Sequence, residues 1–310
     1  MIAVYNTINN TIVKTDKPEV KGSWVNMINP SEEEIALITK ALKLENEFSI
    51  RDALDDEERP RIEAENDQIF VIINVPIRQD ATVIYDTIPL GIILTKDHFV
   101  TVCLQEVDVL KDFECGKVRG LETYKKTRFL FQILYKSATL YLSFLREIEK
   151  KTDEIELTLH KSMKNQELIR LLNLQKSLLY FTTSLKSNDK VMQKLLRTKV
   201  LKIYEEDQDL LEDVIIENKQ AVEMAETYSN ISSSMMDAFA SIISNNLNMV
   251  MKFLASITII LALPTMLASF FGMNVNIPLQ TSEHGFLIIV GMSVVLCCGG
   301  VVFLAKRKMF

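Results

Sequence analysis

Apolar and polar positions recur on different periods along this chain, and each period predicts a different kind of element. Over residues 1 to about 120, short runs rich in β-branched and aromatic side chains predict strands at Ile2–Tyr5, Thr11–Lys14, Trp24–Ile28, Gln68–Val75, Thr82–Tyr85, Leu90–Leu94 and Phe99–Cys103. Between the third and fourth, Asn29-Pro30-Ser31 opens a helix, with Ser31 as N-cap and Glu34 at the capping-box position. From about Arg128 the period becomes helical through Phe129–Met163, Asn165–Arg197 and Glu205–Phe271, and Glu147/Lys151 stands at the i,i+4 spacing of an exposed ion pair. Then the polar positions drop out. No charged side chain occurs from Phe253 to Ser282, and none from Gly285 to Ala305.

About 20 apolar residues at 1.5 Å rise cross the roughly 30 Å hydrocarbon core of a bilayer. Membrane spans are therefore expected from about Met249 to Phe271 and from about Phe286 to Ala305. A pair of buried helices in a soluble domain is the alternative, but two such runs back to back rarely occur in a soluble core. In the helix that enters the first span, from Glu205 to Phe271, the only breaker is Pro264, at a depth where proline is tolerated. That helix is expected to be about 100 Å long.

The flanks set the orientation. Lys252 precedes the first span, Lys306-Arg307-Lys308 follow the second, and the connection Val275–His284 has no Lys or Arg and one carboxylate, Glu283. The positive-inside bias puts both cationic ends in the cytoplasm and the connection outside. Met1-Ile2-Ala3-Val4 has no basic n-region with an apolar h-region, so no cleaved signal peptide is expected. Cys103 and Cys115 lie apart, Cys297-Cys298 fall in the second span, and no CxxC pair exists, which makes them packing residues.

Composition narrows the partners. The chain is 48% hydrophobic and 25% charged with net charge −6, an acidic balance that argues against nucleic acid. No Gly-rich phosphate loop, Walker motif or nucleophile elbow occurs, so no nucleotide is expected to drive it. The three histidines are isolated and no nucleophile-and-base pair is apparent, so no enzyme is expected. The fold class is an α/β cytosolic domain with helices on both faces of a mixed sheet, then long helices, then an all-α membrane part of two C-terminal helices. The expected divisions are 1–125 (α/β), 126–204 (helical), 205–273 (stalk and first span), 274–285 (external connection), 286–305 (second span) and 306–310 (basic tail).

Two stripes run along the third long helix. Leu211, Val214, Ala221, Ala225, Tyr228, Met235, Phe239 and Ile242 form an apolar packing stripe. Asp237, Ser241, Ser244, Asn248, Met251, Thr258, Ala262, Thr265, Ser269 and Gly272 form a face that is small and polar where the rest of the span is Leu, Ile, Phe and Met. Helix packing explains small residues in a membrane; a pore lining explains polar ones. Asp237 favours the pore, because packing does not require a carboxylate there. Two spans cannot enclose a pathway, so a pore requires a homo-oligomer.

Gly272-Met273-Asn274 at the exit of the first span, a short external connection, a last helix and a basic tail resemble the CorA family of magnesium channels, most closely from about Asp213 to Asn274. The resemblance implies a homopentamer in the cell membrane, both termini cytoplasmic, with Gly272, Met273 and Asn274 as the outer selectivity filter. The Asn274 side-chain oxygen and the Gly272 carbonyl then face a hydrated Mg²⁺. Asp237, Asn248, Thr258, Thr265 and Ser269 match pore-facing positions, and Met251 and Leu254 match a hydrophobic constriction. Ala262 and Ser269 point to a wider or more polar pore than in some relatives.

The resemblance also implies sensing of intracellular Mg²⁺ between subunits. Asp213 is the candidate, facing a neighbour, with Asp80 of the α/β domain as its partner; Glu205–Asp209 are expected to be solvated acids that complement the helix dipole. Transport is then passive, closed by internal Mg²⁺, with Co²⁺ and Ni²⁺ as secondary cargoes. The basic tail reads as an anchor on lipid phosphate, with a brake on cation exit as the alternative. The single late carboxylate of the connection departs from family members that have one soon after the motif. A zinc-transporting branch of the superfamily is the nearest rival; Met273 counts against it, and His284 is a loop residue able to coordinate zinc, although a lone loop histidine is usually solvated. A membrane-anchored helical scaffold or sensor without conduction is the rival from another class.

Overall fold

The computed structural model describes residues 1–9, 11–44, 47–79, 85–161, 165–197, 201, 203–274 and 284–307, apart from the side chains of residues 47–49, 160 and 161. In chain order the elements are β1 (Ile2–Ile8), β2 (Thr11–Thr15), β3 (Trp24–Ile28), α1 (Glu32–Leu42), α2 (Glu47–Asp52), β4 (Arg61–Glu65), β5 (Gln68–Arg78), β6 (Tyr85–Leu94), β7 (Phe99–Cys103), α3 (Asp108–Glu114), α4 (Lys126–Lys161), α5 (Asn165–Arg197), α6 (Glu205–Phe271) and α7 (Gly285–Lys306). The chain divides into two compact units, Met1–Ser234 and Met235–Phe310, and α6 contributes to both.

The first unit is built on a seven-stranded sheet of order β2-β1-β3-β7-β6-β5-β4. Only β3 and β7 are parallel; the other neighbours are antiparallel, so the sheet is mixed as expected. Helices cover both faces. Ile35, Ile38 and Leu42 of α1 and Ile50 of α2 join Val25, Ile72, Ile93 and Val100 on one side. On the other, Phe113 of α3, Phe129 and Leu130 of α4, Met192 and Leu195 of α5 and Leu211 of α6 join Trp24, Val71, Ile92 and Phe99.

Local chemistry sets several boundaries. The Glu34 backbone N–H donates to Ser31 Oγ and the Ser31 N–H donates to the Glu34 carboxylate, a complete capping box at the start of α1. Lys43, left-handed at φ 53°, ends that helix. Asn66 and Asp67, with φ of 45° and 64°, make the two-residue turn between β4 and β5, a conformation that Asn and Asp tolerate best after Gly. Pro89 sits inside β6, opposite Asn74 of β5 but just before the stretch, Leu90–Leu94, that pairs with β7. Its missing N–H therefore breaks no ladder on that side.

Trp24 is the centre of the larger core. It is fully buried, its indole N–H donates to Thr101 Oγ1 at 2.8 Å, and its ring lies 4.8 Å from Tyr5 and 5.1 Å from Phe129. Trp24→Ala is expected to cost about 3–5 kcal/mol, by lost transfer energy and the cavity left behind. The thermal unfolding midpoint of the full chain in detergent measures it; an unchanged midpoint would contradict this packing.

Three expectations need correction. Glu147 and Lys151 are not an exposed i,i+4 pair. Glu147 instead accepts from Arg78 and from the Tyr85 hydroxyl, and the Lys151 ammonium donates to that hydroxyl at 2.9 Å. Burial and the Glu147 carboxylate hold the Tyr85 phenol well above its usual range. Asp207 is not solvated: it is 5% exposed and pairs with Arg128 at 3.3 Å, while Glu205, Glu206 and Asp209 are exposed. Third, β4, α2 and α3 are elements that the sequence pattern left as connections. The end of the expected Thr82–Tyr85 strand is the first residue of β6, and residues 82–84 lie outside the described ones.

In the first unit the apolar stripe of α6 is buried at Leu211, Val214, Ala221 and Ala225, and Asn218 Nδ2 donates to the Leu185 carbonyl of α5 at 3.4 Å. Lys186 of α5 pairs with Glu226 at 2.6 Å. In the second unit α6 and α7 pack side by side. A Cβ at Gly300 would lie 3.3 Å from Leu263 Cδ1 and 3.9 Å from Ile260 Cγ1, so a glycine here lets the two helices approach closely. Both helices are long and apolar enough to cross a membrane, and almost all of each apolar window is exposed rather than buried in protein.

Candidate functional site

The residues facing α7 define where the rest of α6 points. Ser256 is fully buried, its hydroxyl donating to the Lys252 carbonyl at 2.8 Å, and Ile260 and Leu263 lie against Gly300. At about 100° per residue these three occupy one sector of the helix. Met251, Leu254, Thr258, Thr265, Ser269 and Gly272 centre about 180° away from it. The small polar face thus lies on the side of α6 that α7 leaves uncovered, and every one of those residues is exposed in the single chain. Met251 and Leu254 are 57% and 56% exposed, and large apolar side chains on the other faces of the helix, such as Val250 and Leu261, are exposed too, so lipid or a further protein surface is needed to cover them.

A seven-residue period runs along this face. Asp237, Ser244, Met251, Thr258, Thr265 and Gly272 follow one another at intervals of seven residues. A strict seven-residue repeat keeps one face turned to a common axis when helices supercoil around each other. Asn248, Ala262 and Ser269 fall on the neighbouring line, three residues before Met251, Thr265 and Gly272 respectively.

The two threonine hydroxyls on this face have a fixed polarity. Thr258 donates to the Leu254 carbonyl at 2.9 Å and Thr265 to the Leu261 carbonyl at 3.0 Å. With their protons committed to the helix, these side chains present oxygen lone pairs outward. A hydrated cation presents water O–H groups outward, so a wall of acceptors matches it.

The tripeptide follows directly on the last turn of α6. The Gly272 N–H donates to the Ala268 carbonyl at 2.9 Å, the Met273 N–H approaches the Phe270 carbonyl at 3.5 Å, and Gly272, Met273 and Asn274 are all exposed. A helix C-terminus leaves carbonyls without helical donors and carries the negative end of the macrodipole. The last turn of α6 has no basic residue to neutralise it. Asn274 therefore stands where backbone and side-chain oxygens gather at a negative helix end.

Asp213 lies in the first unit, exposed, between the buried Leu211 and Val214. Asp80 lies outside the described residues, as do Glu283 and residues 275–282 of the connection. His284 is the N-cap position of α7 and makes no side-chain cap. Among the described residues, no group of three His, Cys, Asp or Glu side chains in one chain is placed to hold a metal ion.

Comparison with known proteins agrees with this architecture. Residues 20–307 match the family model of the CorA-like Mg²⁺ transporter protein. A "Cobalt/magnesium transport protein CorA" of Methanocaldococcus jannaschii is 28% identical over 285 residues, covering 88% of this chain and 86% of that protein. The complete structure of the CorA magnesium transporter from the same organism superposes with a TM-score of 0.83 at 24% identity, over 98% of this chain and 96% of that one. The ZntB cytoplasmic domain from Vibrio parahaemolyticus shares the fold of 78% of this chain at a TM-score of 0.63 and 12% identity, over 98% of that domain. A sheet-bearing N-terminal region, long helices, two apolar C-terminal helices and a family match over nearly the whole length lead to one conclusion: the chain belongs to the CorA-like Mg²⁺ transporter family, a family of divalent metal ion transporters of the membrane.

Proposed function

We propose that the chain forms a homopentamer whose α6 helices surround a passive pathway for hydrated Mg²⁺ across the cell membrane. The observation that carries this is the α6 face opposite α7: exposed, repeating every seven residues, and ending at Asn274. Mg²⁺ gives up its waters reluctantly, so a ring of neutral oxygens that reads the hydration shell suits it. The Asn274 amide oxygens and the Gly272 carbonyls form that ring, with Met273 completing the filter. The negative ends of the α6 helices draw the cation to it.

Below the filter, Ser269, Thr265 and Thr258 accept hydrogen bonds from the ion's waters. Leu254 and Met251 narrow the path to an apolar constriction that closes by dewetting. Asn248 and the ring of Asp237 carboxylates form the inner mouth. The membrane potential drives entry, at about 2.3 kcal/mol per charge per 100 mV. Co²⁺ and Ni²⁺ pass by the same hydration-shell recognition.

Both termini are cytoplasmic, and Lys306 and Arg307 sit at the lipid headgroups. When internal Mg²⁺ is high, the ion bridges Asp213 to a neighbouring subunit, with Asp80 as the partner, and holds the constriction closed. Depletion removes the bridges and the open state gains population. The chain moves an ion and performs no covalent chemistry on a substrate.

Uptake of Mg²⁺ into proteoliposomes of the purified protein tests the function. Entry that rises when the interior is made negative, at low internal Mg²⁺ and without nucleotide, is expected. No entry at any internal Mg²⁺ would overturn the channel and favour the non-conducting scaffold; entry of Zn²⁺ in preference to Mg²⁺ would favour the zinc-transporting branch.

A further inference from the structure

Pro264 lies inside α6. Proline has no backbone N–H, so the carbonyl four residues earlier, that of Ile260, has no helical donor. In the hydrocarbon region no bulk water replaces it, and a neighbouring helix is one source of a substitute donor. On α7 the Cys297 thiol lies 3.7 Å from that carbonyl oxygen and donates to it.

The surroundings make this contact specific. Gly300, one turn further along α7, lies against the side chains of Leu263 and of Ile260 itself, where an added Cβ would come within 3.3 Å and 3.9 Å of them. Cys298, the next residue, is exposed. Ser293, one turn before Cys297, gives its proton to the Ile289 carbonyl of its own helix at 2.9 Å.

We propose that Cys297 is a positioning residue: its S–H supplies the donor that Pro264 removes, and so fixes α7 to α6 at the point where α6 loses its own ladder. The α6 segment beyond that point, Thr265–Phe271, carries Gly272-Met273-Asn274 at its end. The thiol thereby sets the direction in which the tripeptide is presented. The bond itself stands on the α6–α7 geometry alone; only its effect on flux rests on the reading of α6 as the pore helix.

Infrared spectra of the full-length protein in lipid test the bond without reference to transport. The Cys297 S–H stretch is isolated as wild type minus Cys297→Ala, and the Cys298 stretch as wild type minus Cys298→Ala. A Cys297 band at lower frequency than the Cys298 band is expected; coincident bands would overturn the proposal. In proteoliposomes Cys297→Ala is expected to lower Mg²⁺ flux about threefold, the fold-change carried by an average interhelical hydrogen bond in a membrane. Cys298→Ala should leave flux unchanged. Pro264→Ala returns a donor to the Ile260 carbonyl, so adding Cys297→Ala to it should cost nothing further. A loss of the same size in both backgrounds would show that the thiol acts by packing and contradict its role as the substitute donor. Absence of flux in wild type would instead count against the channel and leave the infrared result to decide the bond.

Discussion

Replacing Asn274 by alanine is expected to reduce Mg²⁺ uptake at least about tenfold, with the protein still inserted and assembled. The side chain is exposed at the end of α6 and has no packing role in the single chain, so its removal leaves the fold untouched. What is lost is an acceptor from every subunit at once. Hydrogen bonds to charged or strongly polarised partners contribute about 1.5–3 kcal/mol each, and about 1.4 kcal/mol is already tenfold. Flux assays at low internal Mg²⁺, with chromatography to confirm the assembly, decide it. Uptake that persists in Asn274→Ala would retain a transporter and contradict the filter.

The second large effect is expected at Asp213. Asp213→Asn keeps the size of the side chain, removes the charge that a bridging Mg²⁺ requires, and touches neither Leu211 nor Val214, the buried neighbours that hold α6 in the first unit. The internal Mg²⁺ needed to halve the flux should rise about tenfold, because a ligand shifts an equilibrium only by its differential affinity for the two states. Glu212→Gln, at an equally exposed neighbouring position, serves as the control. An inhibition curve unchanged in Asp213→Asn but shifted in Glu212→Gln would place the sensor elsewhere on the helix.

The elements legible in the sequence were those whose signal is local and long. The two apolar spans, the three long helices and the Ser31/Glu34 capping box needed only period and adjacency, and they stand in the structure. The elements that escaped are short or polar. β4 is an edge strand with only Ile62 buried, and its clearest signature was the Asn66-Asp67 turn that follows it. α2 and α3 are too short to establish a helical period.

The partners of charged groups were legible least. Glu147 finds Arg78 and Asp207 finds Arg128, each across a sequence separation that no i,i+4 rule reaches. The candidate pathway shows the same division. Its proposed face follows from spacing within α6, whereas the side of α6 left uncovered depends on Gly300 and Cys297 of α7 lying against Ile260 and Leu263.

The central claim is that the α6 face averted from α7 lines a water-filled route for Mg²⁺. Its most direct test is reactivity of single cysteines, placed along α6 in a background lacking the four natural ones, toward a small charged thiol reagent added during Mg²⁺ uptake. Thr258→Cys, Thr265→Cys and Ser269→Cys are expected to react and to block uptake, while Ile260→Cys and Leu263→Cys, facing α7, stay unmodified. Reaction at positions 260 and 263 with protection at 258, 265 and 269 would contradict the account and place the route on the other side of the helix.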